Sequence, residues 1–439
     1  MNRKAIPEPG TPGWHIHTLT ESARQLAKNG NYADAEKIYE QILDAAPYHI
    51  RSLNFLATRA MERGDSARAL ALYERALEVD TKRPIIHQNI GILLLAENDP
   101  ESALRCFQNA TNLREDFIYS WIYQGDIHLH AGRKDDAITA YARALKLLPS
   151  ISTTLVDGRL PETKRKLIRN AAAGLYTLKY EYFTQALAGC LEKYGDQAMQ
   201  RVLKCARIKS GLAEPEYLHA LQHPDWMYMP DVEPRPFFDT RDFKWMHELE
   251  IRHTEIRHEL DSLLAHPEDL EAYVNIEGKD TRQWSELNHS KDWSSYHLYR
   301  GGEPITENCK RCPVTADILS GLPLIKIPGH AAEAFFSILR PGTHIPPHHG
   351  VANYKLAVHL PLAVPDQCAI RVGYETRTWT EGKCLVFDDS FQHEAWNKSD
   401  RLRAVLIFEI WNPLLSPAER SGLTSLVQAV GEFNRKFEA

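Results

Sequence analysis

Long hydrophobic runs are missing from this 439-residue chain, and no stretch of about 18 uncharged apolar residues occurs anywhere in it. The first ten residues also lack the apolar segment that a secretory signal peptide needs. From these two absences we expect no membrane span, and the cytoplasm is the expected location.

An excess of positive charge is absent as well. The net charge of −6 is spread over the whole length. A composition that is 43% hydrophobic and 25% charged is ordinary for a soluble globular protein. Because the chain presents no strongly basic field, we expect neither nucleic acid nor an anionic membrane as its main partner.

Cysteine is scarce, and its pattern argues against a disulfide framework. The seven cysteines are odd in number and widely scattered. Cys309 and Cys312 form one CxxC, with no second CxxC and no strand–helix–strand pattern around it. Two reduced thiols in a turn are the favoured interpretation, while half of a zinc site or a redox pair stays open.

Residues 14–152 carry an internal repeat with a period of 34 positions. Each unit has a small residue, an aromatic residue four positions later, and a small or aliphatic residue three positions after that. A further small residue recurs in the preceding helix. In chain order, these four sets are Ala35, Ala69, Ala103 and Ala137; Tyr39, Tyr73, Phe107 and Tyr141; Ile42, Ala76, Ala110 and Ala144; and Ala23, Ala57, Gly91 and Gly125.

The spacing has a physical reason. Small residues let paired helices approach closely, aromatic side chains fill the groove between them, and each unit buries its apolar face against the next. The pattern resembles four tetratricopeptide repeats, which form an α-solenoid. Such a solenoid offers a concave surface for a peptide or partner domain, or it serves only as a helical spacer, and the repeats do not decide between these roles.

After the repeats the chain changes character twice. Residues 153–224 are predicted to be a helical linker layer, with a helix start near Pro161. Proline and aromatic residues then cluster from His223 to Asp239 and mark a boundary. A charged helix is predicted after it, from about Phe243 to His266. From Trp293 onward, short apolar runs separated by turns predict strands, among them Cys368 to Val372 and Arg403 to Trp411. Short strands at this spacing favour a sandwich or a double-stranded β-helix. A closing helix is predicted from Ser416 to Phe437.

Two histidines on separate predicted strands, His348 and His393, are candidate metal ligands. A non-haem iron site needs two histidines and usually a carboxylate on one face, with open positions for co-substrate and oxygen. The carboxylate usually stands two residues after the first histidine, where this chain has Gly350. A hydrogen-bonded structural role for either histidine therefore stays open on residue types alone.

Arg403 is a candidate anion-binding residue because it lies in a strand pattern of apolar neighbours. A buried arginine needs an anionic partner, and a carboxylate matches its planar guanidinium. An internal salt bridge is the alternative.

These residues together resemble the aspartyl/asparaginyl β-hydroxylase family of iron(II)- and 2-oxoglutarate-dependent oxygenases. In that family two histidines hold the iron, and a glycine with water replaces the carboxylate. The matching segments are Pro341-Gly342-Thr343-His344-Ile345, His348 to Asn353, His359-Leu360, Phe387 to Phe391, His393 to Trp396, Arg403 and Trp411-Asn412-Pro413.

The resemblance implies roles for five residues. It implies that His348 and His393 bind Fe(II), that Ser337 and Arg403 hold the distal carboxylate of 2-oxoglutarate, and that His359 contacts the end of the co-substrate that chelates iron. One departure affects this last contact. Family members often carry an arginine two residues before the strand histidine, where this chain has Ala357.

The resulting prediction is a multidomain α plus β protein with four parts. These are a tetratricopeptide solenoid at 14–152, a helical layer at 153–224, a double-stranded β-helix (jelly-roll) oxygenase domain at 225–425, and the end of a C-terminal helix at 426–439. The resemblance implies a 2-oxoglutarate-dependent dioxygenase that hydroxylates an unactivated carbon.

The expected substrate is the β-carbon of Asp or Asn in a peptide or protein, which the repeats could contact. Free or carrier-bound aspartate and a lipid acyl chain are the alternatives. A non-catalytic repeat scaffold with a degenerate β-domain, and a metal-binding cupin with unrelated chemistry, also stay open. Asp389, four residues before His393, is interpreted as a hydrogen-bonding neighbour of the site rather than as a ligand.

Overall fold

The computed structural model describes residue 8 and the ranges 10–277 and 282–438. Two compact units are found. The first runs to Leu178 and includes Phe437 and Glu438, and the second runs from Lys179 to Lys436. No helix among the described residues combines the length and the apolarity that crossing a membrane requires.

The first unit is built from antiparallel helix pairs. In several pairs the second helix begins at a capping residue. The side chains of Asn31, Asp65 and Asp99 each accept a hydrogen bond from the backbone N–H three residues later, which satisfies a free donor of the first turn. The helices are α1 (Pro12–Lys28), α2 (Tyr32–Ala45), α3 (Ile50–Glu62), α4 (Ser66–Val79), α5 (Pro84–Ala96), α6 (Pro100–Leu113), α7 (Ile118–His130) and α8 (Lys134–Lys146).

The repeat positions read from the sequence form the core of this unit. The small residues Ala35, Ala69, Ala103 and Ala137 are fully buried, and the four aromatic residues are at most 5% exposed. At Gly91 a Cβ would lie only 2.7 Å from the Phe107 ring, so the small residue is what allows the aromatic residue to pack there. The predicted helical repeats are confirmed.

Three further helices follow the repeats. They are α9 (Ile151–Val156), α10 (Glu162–Ala186) and α11 (Ala188–Ser210). Helix α10 starts one residue after Pro161, close to the predicted position. Helix α11 contains a kink at Gly195, where φ is 77°.

The second unit contains two antiparallel sheets. Its strands are β1 (Phe237–Phe238), β2 (Glu271–Ala272), β3 (Trp293–Arg300), β4 (Glu303–Pro304), β5 (Ala334–Leu339), β6 (His344–His348), β7 (Lys355–Ala363), β8 (Cys368–Val372), β9 (Glu375–Arg377), β10 (Leu385–Phe387), β11 (His393–Asn397) and β12 (Arg403–Trp411). The larger sheet has the order β1-β10-β7-β12-β5-β3-β2, with β4 paired to β3, and the smaller sheet has the order β6-β11-β8-β9.

One hydrophobic cluster joins the inner faces of the two sheets. Trp293, Leu339 and Phe387 come from the larger sheet, while Ile345 and Ile370 come from the smaller one. The predicted β-rich C-terminal part is therefore confirmed. The sheets are antiparallel and are not closed into a barrel, and the double-stranded β-helix stays a prediction.

Helices flank the sheets, and several differ from the expectation. The charged helix expected from about Phe243 to His266 is two helices, α12 (Met246–Ile251) and α13 (His253–Leu264). Two helices that were not predicted, α14 (Thr306–Arg311) and α15 (Pro313–Gly321), surround the CxxC. Cys309 therefore lies in a helix rather than in a turn, and both thiols are free. The closing helix α16 (Pro417–Phe433) begins at a capping box formed by Ser416 and Glu419.

Candidate functional site

His348 and His393 face each other across two paired strands. They are register partners in the ladder between β6 and β11. Their ring centroids are 4.1 Å apart, and the indole of Trp284 lies 5.1 Å from the His348 ring. The 45 residues that separate the two histidines in the chain thus close to a direct side-chain pair.

The backbone sets the protonation of both imidazoles. Nδ1 of His348 lies 2.8 Å from the Pro346 carbonyl oxygen, and Nδ1 of His393 lies 2.9 Å from that of Phe391. Because a carbonyl only accepts, each Nδ1 must donate, which leaves each Nε2 with a free lone pair. Burial lowers the pKa of His348 to about 3 and that of His393 to about 4, so both rings are neutral at physiological pH.

Gly350 leaves space that a neighbouring carboxylate fills. A Cβ at position 350 would overlap the Asp389 carboxyl group and lie 2.7 Å from its Oδ1. That Oδ1 atom is buried and makes no hydrogen bond to any described residue. Lys355 Nζ lies 3.7 Å from the other oxygen, Oδ2. A carboxylate thus stands beside the histidine pair, but it comes from the segment before β11 and not from position 350.

Arg403 is a buried cation. Its side chain is 1% exposed, and its guanidinium carbon lies 4.8 Å above the Trp379 ring. Nε makes no hydrogen bond within residues 10–277 and 282–438, and over these ranges no ion pair joins Arg403 to a carboxylate. Burial lowers the pKa of Arg403 to about 10, which still leaves the group charged at neutral pH.

Ser337 is positioned beside Arg403 by its neighbours. Its Oγ accepts a hydrogen bond from Trp293 Nε1 at 3.1 Å and another from Arg403 Nη1 at 3.4 Å. With both of these contacts used as acceptor, the hydroxyl proton of Ser337 remains available for an acceptor in the site.

His359 completes the set of predicted residues. It is 6% exposed, and its Nδ1 has no hydrogen-bond partner among the described residues. Burial, followed by the nearby positive charge of Arg403, lowers its pKa well below the ordinary value. The Phe387 ring meets it edge-on at 4.8 Å.

All five predicted residues line one cavity of about 710 Å³. Side chains at alternate positions of the larger sheet form three rows across its floor, because successive residues of a strand point to opposite faces. From one end of the cavity to the other, the rows are Ser337, Phe335 and Glu333 at β5; His359, Ala357 and Lys355 on β7; and Arg403, Ile407 and Glu409 on β12.

The rows divide the cavity into three layers. Ser337, His359 and Arg403 form a hydrogen-bonding end, the middle is apolar, and Glu333, Lys355 and Glu409 form a charged end. The described residues contain no group of three or more His, Cys, Asp or Glu side chains arranged to hold a metal ion. A metal in this cavity would therefore rest on the two histidines.

Comparison with known families identifies this part of the chain. Residues 250–413 match the family model described as Aspartyl/Asparaginyl beta-hydroxylase. The chain carries an aspartyl/asparaginyl beta-hydroxylase domain. Residues 26–88 and 89–150, upstream of the hydroxylase domain, match tetratricopeptide repeat models.

Three curated relatives are similar to this chain. The chain is 38% identical to "Ornithine lipid ester-linked acyl 2-hydroxylase" of Rhizobium tropici over 42% of this chain and 63% of that protein. It is 39% identical to "Aspartyl/asparaginyl beta-hydroxylase" of Homo sapiens over 32% and 18%. The protein of that name from Mus musculus is 24% identical over 94% and 56%. The chain spans less than two thirds of the length of each of these relatives.

Several cavity residues of the hydroxylase domain were missed by sequence reasoning. Glu409 and Glu333 form the charged end with Lys355, and Trp284 and Trp226 belong to the walls. Glu409 could have been predicted from the sequence, because it lies an even number of residues after Arg403 and therefore points to the same face of the strand. The other three lie outside the strands that line the floor, so no periodicity in the sequence marked them.

Proposed function

We propose that the hydroxylase domain is an Fe(II)- and 2-oxoglutarate-dependent dioxygenase that hydroxylates an unactivated carbon. The observation that carries the proposal is the pairing, in one cavity, of two neutral imidazoles with free Nε2 atoms and a buried guanidinium that has no counter-ion among the described residues. The family match and the relatives' names support hydroxylation.

The donor set fits iron. Neutral imidazole is a common ligand for ferrous iron, and the rings of His348 and His393 lie 4.1 Å apart on adjacent strands. Their Nδ1–H bonds to backbone carbonyls fix both ring orientations before a metal arrives. Gly350 makes room for the Asp389 carboxylate, which would accept a hydrogen bond from water beside a bound metal.

The opposite end of the cavity fits a dicarboxylate. A buried cation without a partner costs several kcal/mol, so Arg403 calls for an anion of matching shape. The distal carboxylate of 2-oxoglutarate would take Nε and Nη1 of Arg403 and the hydroxyl proton of Ser337. His359 lies on the same row as Ala357 and would contact the chelating end of the co-substrate.

When bound, iron, 2-oxoglutarate and oxygen supply the oxidising power that converts a C–H bond into C–OH. The chain's own residues orient the co-substrate and exclude water. Arg403 and Ser337 fix the co-substrate, and the Trp293 indole donates to Ser337 and holds it in place. Phe335, Ala357 and Ile407 keep water away from the middle of the cavity.

The names of the relatives leave two substrate classes, an Asp or Asn residue and a lipid acyl chain. We propose the β-carbon of a residue in a peptide or protein, since tetratricopeptide repeats stand before the hydroxylase domain here. We also propose that the two sheets form a double-stranded β-helix. The proposed domains are the helical layer at 153–224 and the oxygenase domain at 225–425.

Anaerobic addition of Fe(II) and 2-oxoglutarate to the purified chain tests the proposal. The visible charge-transfer absorption of the chelate should appear in the wild type and disappear in His348→Ala. Arg403→Ala should need roughly 100-fold more 2-oxoglutarate, because it removes a buried charge-assisted contact. Arg241→Ala, which changes an exposed arginine paired with Asp239, is the matched control and should behave as wild type.

Two results would redirect the proposal. If neither iron nor 2-oxoglutarate binds to the wild type, the oxygenase assignment fails and the repeats become the functional part as a scaffold. If iron binds but 2-oxoglutarate does not, the domain is instead a metal-binding cupin with unrelated chemistry.

A further inference from the structure

The charged end of the cavity holds a lysine whose ammonium group is already paired with carboxylates of the chain. Lys355 is 6% exposed and donates a hydrogen bond to Glu409 Oε1, with Asp389 as a second anionic neighbour at 3.7 Å. Burial alone lowers the pKa of Lys355, but Asp389 and Glu409 raise it above the ordinary value. The ammonium is thus charged and neutralised from within the chain.

Glu409 Oε2 already accepts from the Glu333 backbone N–H at 3.0 Å, but the side chain of Glu333 keeps an oxygen that can accept. Glu333 Oε1 accepts from the Gly301 backbone N–H at 2.7 Å, while its Oε2 lies 3.7 Å from Nε2 of His297. Burial lowers the pKa of His297 to about 4, so that ring supplies no charge at neutral pH. Three carboxylates, those of Glu333, Glu409 and Asp389, therefore face one ammonium.

Aromatic rings form the walls beside these carboxylates. Tyr273 stacks on Trp293 at 4.0 Å and on Phe335 at 5.3 Å. Trp226 stacks on His330 at 6.3 Å and already has the Lys209 ammonium 4.7 Å from its ring centroid. Ring faces attract cations and also cover the alkyl stem of a long basic side chain. Acidic groups next to aromatic rings are the surroundings that an organic cation prefers.

The cavity is built for a ligand and is not merely an acidic surface. His359 and Arg403, both more than nine-tenths buried in its wall, each keep a nitrogen without a partner among the described residues. Those two atoms belong to the co-substrate end. The remaining volume, between the histidine pair and Glu333, is left for the substrate.

We propose that the substrate of this site carries an ammonium or guanidinium group that lies against Glu333 and Glu409, next to the carbon that is hydroxylated. This inference rests on the proposed function for the reaction, but its charge argument stands on the cavity alone. Glu409 is then the residue that sets specificity. Because Glu409 forms an ion pair with Lys355, the lysine is not available to pair with a substrate carboxylate at this end.

Three capped amino acids of similar length test the charge preference. Nα-acetyl-lysine amide, Nα-acetyl-norleucine amide and Nα-acetyl-glutamate amide end in an ammonium, a methyl group and a carboxylate. Binding to the metal-free chain is read from tryptophan fluorescence at pH 8, since Trp226, Trp284 and Trp293 line the cavity. We expect the lysine compound to bind roughly tenfold more tightly than the norleucine compound, and the glutamate compound to bind most weakly.

Substitutions then locate the preference. Glu409→Gln should reverse the order of the lysine and glutamate compounds, because it frees Lys355. Glu333→Gln leaves the Lys355 pair intact and should reduce the lysine preference roughly threefold to tenfold without a reversal. If Glu409→Gln does not fold, Glu333→Gln still tests the charge preference. Glu303→Gln, at an exposed glutamate of the same domain outside the cavity, should change nothing.

The outcomes separate this inference from the proposed function. Tightest binding of the glutamate or norleucine compound to the wild type would overturn the inference, as would an unchanged preference in both cavity variants. The chelate absorption, measured separately, tests the reaction class, and neither result depends on the other. A capped lysine pentapeptide and Nα-dodecanoyl-lysine amide then distinguish a peptide from a lipid as the source of the cation.

Discussion

Arg403 carries a full positive charge inside a protein wall, and its neighbours do not neutralise it. Trp379 offers a ring face and Ser337 one long hydrogen bond. Neither contact replaces the hydration that a guanidinium loses on burial. The residue is therefore expected to oppose folding until an anion arrives, which places a measurable stability cost at a binding site.

Arg403→Met tests this cost. Methionine keeps a long flexible side chain and removes the charge, so the ligand-free protein should gain about 1–3 kcal/mol in free energy of unfolding while 2-oxoglutarate binding is lost. Urea denaturation gives the first quantity and titration of the chelate band gives the second. Arg241→Met should leave both unchanged. A less stable Arg403→Met protein would show that the guanidinium is satisfied within the chain.

Gly350 is a second residue whose size matters. Gly350→Ala would push a methyl group into the Asp389 carboxylate, which is fixed by the backbone bond from Gly350 N–H to the Asp389 carbonyl at 2.6 Å. We expect a loss of about 1–3 kcal/mol in stability and weaker iron binding, because the strain reaches His348 two residues away. Gly321→Ala, where the added Cβ meets no atom within 4 Å, is the matched control. Equal behaviour of the two variants in denaturation and iron titration would refute this.

Among the elements, the helix pairs of the repeats show how a small residue specifies packing. Gly125 on α7 faces the ring of Tyr141 on α8, and Gly91 on α5 faces that of Phe107 on α6. Both rings are buried, and the Tyr141 hydroxyl donates to Asp126 at 2.6 Å. The aromatic residue therefore occupies the volume that a methyl group on the partner helix would need.

Gly125→Ala separates packing from helix propensity. Alanine favours a helix by up to about 1 kcal/mol over glycine, so propensity alone predicts stabilisation. Overlap with the Tyr141 ring should outweigh this and give a net loss of about 1–3 kcal/mol, seen as a lower denaturation midpoint by circular dichroism. Gly158→Ala, at an exposed turn of the same unit with no atom within 4 Å, should have little effect. A stabilised Gly125→Ala protein would show that the ring moves away at little cost.

At the scale of the whole molecule, each of the two units has its own buried cluster. Tyr73 and Ile42 lie in a cluster of the first unit, and Trp293 and Phe387 lie in one of the second. All residues proposed to bind iron or 2-oxoglutarate belong to the second unit. Ligand binding should therefore stabilise that unit directly.

Hydrogen exchange measures this stabilisation element by element. Anaerobic addition of Fe(II) and 2-oxoglutarate, each at about 100 times its dissociation constant, adds about 2.7 kcal/mol for each bound ligand, so the most protected amides of β5, β7 and β12 should exchange at least roughly 100-fold more slowly. Amides of α3 and α5 should keep their rates. His348→Ala treated in the same way should show no protection in either unit. Equal protection of the repeat helices in the wild type would contradict this and reveal coupling between the units.

Some elements were predicted accurately from the sequence and others were not. The strands β8 and β12 were predicted to the residue, because each is an apolar run between turn signals. The division of the charged helix at Arg252 and the helices α14 and α15 were not foreseen, since short helices carry too few periods to be recognised. The roles of His348, His393, Ser337, His359 and Arg403 stay predictions, although the structure brings all five to one cavity.

The sequence by itself determined the repeats and most of the longer helix and strand regions, because these follow from periodicity and from local spacing, while its resemblance to a known family indicated the candidate residues. Only the tertiary structure decided that the Asp389 carboxylate fills the space beside Gly350 and that Glu409 occupies Lys355. Both contacts join residues that are distant in the chain. Their geometry depends on strand register and twist, which place side chains of opposite charge together without leaving a mark in the local sequence.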